Sequence, residues 1–128
     1  MSVRLILQSS EVSRVWSNGP HWMLQLSAAT AQLQLPEVGG MWGHLNGLTV
    51  TFRDARLEGD VDQALGTLNE CELHLEGQPL RHLDLPCELH GRVVCSLGFH
   101  NGTTLQLVAQ GVSAPRADLD RFRESLAC

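Results

Sequence analysis

Lysine and tyrosine are absent from this 128-residue chain, its basic residues are all arginine, and its aromatic residues are three tryptophans and three phenylalanines. With a formal charge of −5 there is little to neutralise a phosphate backbone, which excludes nucleic acid as a favoured partner. The last arginines, Arg116, Arg121 and Arg123, are interleaved with Asp118, Asp120 and Glu124, the pattern of a solvated face. Long apolar runs are also missing. The N-terminal Met1-Ser2-Val3-Arg4-Leu5-Ile6-Leu7-Gln8 is too short for a signal peptide or a membrane span, so no membrane association and a cytoplasmic location are expected. The four cysteines, Cys71, Cys87, Cys95 and Cys128, show no paired framework, in keeping with a reducing compartment. Phosphate-binding loops, dinucleotide fingerprints, serine elbows, zinc-protease motifs and calcium loops are all lacking, and no cofactor is implied. Arginine without lysine, with abundant Leu, Gly and Ala, suggests a bacterial source of high GC content.

A single domain over 1–128 is expected. A chain of this length buries roughly two thirds of its unfolded surface and needs neither metal nor disulfide for stability. What it does contain is alternation. Val3, Leu5 and Leu7 share one face, ending at Gln8-Ser9-Ser10, and a short piece follows over Val12 to Trp16. Ser17-Asn18-Gly19-Pro20 predicts a hairpin turn. Leu24 and Leu26, then Leu33 and Leu35, alternate with glutamines on either side of Ser27-Ala28-Ala29-Thr30, as two strands or one long strand with a bulge. From Glu37 to Gly47, four glycines in eleven residues predict a loop. Leu48 to Leu57 reads as a strand whose alternation breaks near Arg53-Asp54, which calls for a bulge. Val61, Ala64, Leu65 and Leu68 fit a short helix capped by Asp60. Odd-numbered apolar residues then run from Cys71 to Ala109, with a second hairpin at Asn101-Gly102. Pro115, Leu119, Phe122 and Leu126 predict a C-terminal amphipathic helix. The expected fold is mainly β, an antiparallel barrel or sandwich of about eight strands with a short middle helix and a C-terminal helix.

Cys-Glu-Leu-His occurs twice, at Cys71 to His74 and Cys87 to His90. Two C-x-x-H pairs raise a structural zinc site made of Cys71, His74, Cys87 and His90. Strand geometry opposes it, because residues three apart in a strand leave from opposite faces. The preferred reading is a hairpin around Gly77-Gln78-Pro79-Leu80-Arg81, with Cys71 facing Cys87 and Leu73 facing Leu85 inside. Glu76 would then face His82, and His74 face Asp84, outside. Cys95, between Val93 and Leu97, is expected to be buried and inert.

Two loop segments carry a histidine beside or near a tryptophan, His21-Trp22 and Trp42-Gly43-His44. These four residues with Asp54 are the candidate ligand-binding set, the mouth of an apolar cleft in which Asp54 or Glu37 would orient a histidine acid or base. The leading expectation for function is non-enzymatic: a protein-binding or self-associating β domain that uses an edge strand or an apolar patch, with Val3/Leu5/Leu7 and Leu33/Leu35 as edges to be covered. A small-ligand barrel or simple acid–base enzyme with a Trp/His mouth is the alternative.

Overall fold

The computed structural model describes residues 2–37 and 39–125. It contains eleven strands: β1 (Ser2–Asn18), β2 (His21–Leu35), β3 (Gly39–Leu45), β4 (Leu48–Arg53), β5 (Arg56–Gly59), β6 (Gly66–Leu75), β7 (Gln78–Pro79), β8 (Leu83–Leu85), β9 (Cys87–Phe99), β10 (Thr104–Ala114) and β11 (Phe122–Glu124). Six strands close a ring in the order β1-β2-β4-β10-β9-β6 and back to β1, with every pairing antiparallel. The fold is therefore a barrel and not a sandwich.

Two strands are long enough to leave the ring. β1 bends at Ser9, whose φ is +73°, and β2 at Ser27-Ala28, where the apolar face changes from Leu24 and Leu26 to Ala29, Ala31 and Leu33. Beyond this elbow the hairpin carries β8 on the outer side of β1 and β3, then β11, on the outer side of β2. Val3 and Leu5 are thus covered by β2 and β8, and Leu33 and Leu35 by β3, so these expected edges are closed within the chain, while Leu7 lies beyond the end of β8. Ser10 fastens the elbow. It is fully buried, its hydroxyl donates to the Ile6 carbonyl at 2.7 Å, and it accepts from the Thr30 amide at 2.9 Å.

One apolar core fills the barrel and runs on under the flanking strands, with Phe52, Leu24, Leu26, Leu97, Leu105 and Leu107 inside the ring and Leu5, Leu83 and Leu45 beneath the extension. The break at Arg53-Asp54 is present, with Asp54 at φ +47°. It inserts no residue against β10: Arg53 pairs with Gly111 and Arg56 with Val108, and β10 changes its buried face at the same level, from Ala109 to Val112. The corner is a joint bend of both strands. Arg53 locks it by reaching over Gly111 to the Glu88 carboxylate at 2.8 Å and the Leu89 carbonyl at 3.0 Å.

Three expected elements differ. The glycine-rich segment is strand β3, because Gly43 lets β11 lie against it: a Cβ there would collide with the Arg123 carbonyl and the Phe122 ring. The middle helix is one 3-10 turn, Val61–Gln63, with Asp60 capping the Asp62 amide at 3.2 Å. Gly66, at φ +98°, ends the helical path and begins β6, leaving Leu65 exposed and Ala64 and Leu68 buried. The C-terminal helix is likewise a 3-10 turn, Leu119–Arg121, followed by β11, which gains ladder bonds on β3 that an isolated short helix lacks. Leu126 and Cys128 lie outside the described residues. No α-helix occurs among the described residues, and no helix is long and apolar enough to cross a membrane.

Candidate functional site

The duplicated tetrapeptides do not face each other. β6 pairs with β9, placing Cys71 opposite Leu97 and Leu73 opposite Cys95, while β8 pairs with β1. The expected hairpin fails because Glu76-Gly77, both at positive φ, turn the chain two residues earlier, so that Leu75 pairs with Gln78. Cys87 lies at the other end of β9, opposite Ala114 of β10. Cys71, His74, Cys87 and His90 consequently do not converge, and no cluster of three or more His, Cys, Asp or Glu suited to a metal occurs among the described residues. His82 and Arg4 both approach Asp84, at 3.5 and 3.8 Å, and Glu76 instead accepts from the Arg92 amide at 2.8 Å.

The two histidine–tryptophan segments sit at opposite ends of β2. His21 and Trp22 begin that strand beside the β1 turn, with Trp22 opposite Phe52 and packed on the core. Trp42 and His44 lie on β3, opposite Gln32 and Thr30, with Trp42 52% exposed. About eight extended residues, some 26 Å, separate the pairs along β2. His21 does meet Asp54, but through the backbone: the Asp54 amide donates to His21 Nδ1 at 3.2 Å, which places the ring proton on Nε2. Glu37 follows the end of β2, at the same end as Trp42.

The concavity lies elsewhere, where the ring closes. β1 and β6 meet only at Glu11–Thr67 and Val12–Gly66. On this side β1 is covered by β8 as far as Leu5, and β6 is covered by β7 from His74 onward. Between these points residues 6–10 of β1 and 68–72 of β6 have no ladder partner across the gap, and the barrel wall has a window. Its volume is about 480 Å³, within the range of ordinary ligand sites. Leu5, Leu7, Leu73, Leu80 and Leu83 give it an apolar lining, and Gln8, Glu72, His74, Arg81 and His82 supply polar groups. The Leu80 amide donates to the Leu73 carbonyl at 2.8 Å and so closes the gap there, and by strand alternation the backbone groups of Cys71 point the same way and remain on the rim.

Cys71 also belongs to the window, half-buried between its lining and an adjoining surface recess with Gln8, Glu70 and Ser96. Cys95 stands diagonally behind it and is fully buried. A hydrogen bond from the Cys95 thiol holds Cys71 below the ordinary thiol range, outweighing its burial and the neighbouring Glu72 charge. The same contact, together with burial, pushes Cys95 well above that range, while Cys87 is pushed up by burial. Sequence reasoning placed Cys95 in the core but missed its partner. The signal was available in the matching parity of Cys71 and Cys95, but only the β6–β9 register joins them. Comparison with known protein families, with curated proteins and with solved structures found no match, so the reading of this site rests on its own geometry.

Proposed function

We propose that this chain is a protein-binding barrel that receives an extended segment of a partner chain in the window between β1 and β6. The observation that carries the reading is the pair of facing strand edges without ladder partners above an apolar lining. Strand addition supplies main-chain hydrogen bonds on each rim, and alternate side chains of the incoming segment enter the apolar interior. Self-association through the outer edges is the weaker form of protein binding, since β8 and β11 are only three residues each and short edges resist further pairing.

Selection of peptides from a displayed random library on the reduced full chain tests this. Enriched sequences should carry alternating apolar residues, protect the amides of Leu7 and Cys71 from hydrogen exchange, and lose binding when Leu73→Arg charges the lining. The proposal fails if those amides are already protected in the free chain, or if selected peptides protect β3 and β11 instead. A second reading, a small apolar ligand in the same window, is favoured by its volume alone. A fluorescent apolar dye displaced by compounds but not by selected peptides would support that alternative.

A further inference from the structure

We propose that Cys71 and Cys95 form a reversible dithiol–disulfide couple, in which Cys71 attacks small-molecule disulfides that enter the window and Cys95 resolves the mixed disulfide from behind. This inference goes beyond the binding role and stands whether or not the window accepts a peptide.

Three observations support it. The first is register: Cys71 faces Leu97 and Leu73 faces Cys95, so the two thiols are diagonal neighbours on the inward side of the same strand pair. Both are in pairs of the type that does not exchange ladder bonds with β9, since Leu73 gives its carbonyl to Leu80, and side chains approach most closely in such pairs. Diagonal Cα atoms stand about 7–8 Å apart and a disulfide requires about 7 Å or less, so closure needs a small shear of β6 along β9. On its other side β6 is unpaired over residues 68–72, so the shear is opposed only by the β9 ladder. A disulfide formed under such shear is readily reduced, which suits a reversible couple.

The second is access. Cys71 lines the window, whereas Cys95 has 0% exposure, so a dissolved disulfide reaches one sulfur and not the other. The third is charge. The neighbouring Cys95 thiol lowers the Cys71 pKa and so favours its thiolate, the nucleophilic form. Cys95 is held protonated chiefly by that same contact, and the contact is lost once Cys71 is capped.

The steps balance. The Cys71 thiolate attacks one sulfur of R–S–S–R, forming Cys71–S–S–R and expelling RS⁻, which takes up a proton. Cys95 then gives its proton to a second thiolate or to solvent, attacks the Cys71 sulfur, and expels the remaining RS⁻. Two protein thiols are oxidised by two electrons and one small disulfide is reduced to two thiols.

Glutathione disulfide on the reduced full chain, quenched in acid and digested with trypsin, tests this. Without lysine, cleavage at Arg56, Arg81, Arg92, Arg116 and Arg123 puts each cysteine in its own peptide. The expected products are a Cys71–Cys95 crosslink in the wild type and a mixed disulfide at Cys71 in Cys95→Ala, with Cys95 unreacted in Cys71→Ser. Reaction at Cys87 or Cys128 ahead of Cys71 would overturn the proposal, as would a wild-type Cys71 that stays capped beside a free Cys95. The wild-type map decides crosslinking even if a Cys95 variant folds poorly.

Discussion

Ser10 is the one fully buried polar residue among the described residues, and it serves two backbone groups at the elbow, the Ile6 carbonyl and the Thr30 amide. Nothing in the run Gln8-Ser9-Ser10 distinguishes it from a serine in an exposed turn. Its role arises because β1 changes face there and brings an even-numbered residue inward after Val3, Leu5 and Leu7. Ser10→Ala leaves both partners without their hydrogen bonds in a partly buried place, at a cost of about 1–3 kcal/mol. Urea denaturation should show a lower midpoint with an unchanged slope, whereas Ser9→Ala, at an exposed position where the Cβ is kept, should leave the midpoint nearly unchanged and the Thr30 amide bonded. Arg53 illustrates a related limit. Its sequence neighbours suggest a bulge, yet only the packing shows its guanidinium crossing Gly111 to reach β9.

Among the elements, β3 departs most from its composition. Four glycines between Glu37 and Gly47 raise the entropy cost of ordering the chain and argue for a loop. In the fold, Gly43 gives the space that allows β11 to approach. Gly43→Ala should therefore displace β11 and spare the ring. Hydrogen exchange would show Arg123 and Ser125, whose amides face β3, losing protection while Leu24, Leu97 and Leu107 keep theirs; uniform loss of protection would contradict the separate role of the β3–β11 extension. The two misread helices share one cause. Val61, Ala64, Leu65 and Leu68 fit a helical stripe over so few residues that capping and periodicity cannot outweigh a long-range alternative. Gly66 and the β9 ladder provide that alternative for one segment, and the β3 edge provides it for the other.

For the whole molecule, the thiols set the alkaline limit of stability. Cys87 and Cys95 are raised above 9.0 in the fold, so their contribution is complete below 9.0 and is lost as pH rises through their folded values. Cys71 is lowered and contributes in the opposite sense, present above 9.0 and lost as pH falls through its folded value. The Cys71 and Cys95 shifts share one contact and oppose each other, which leaves the burial of Cys87 and Cys95 as the net effect. With lysine and tyrosine absent, no other side chain ordinarily titrates just above this range. Unfolding free energy should therefore fall as pH rises above about 9, and Cys87→Ala should reduce that fall. A flat profile would show that the thiol environments differ from those described.

The amino-acid sequence determined the strand-rich character, the inward faces, the two hairpins and the break at Arg53-Asp54, because alternation and turn chemistry are local properties of the chain. It could not decide which strands meet. Cys71 opposite Cys87 and Cys71 beside Cys95 satisfy the same parity, and the choice depends on a two-residue turn at Glu76-Gly77 and on β8 joining β1. Ring closure between Glu11 and Thr67, the window left unpaired next to it, and the separation of Trp22 from Trp42 along β2 are likewise tertiary results. Each depends on pairings between residues distant in the chain, which no local pattern encodes.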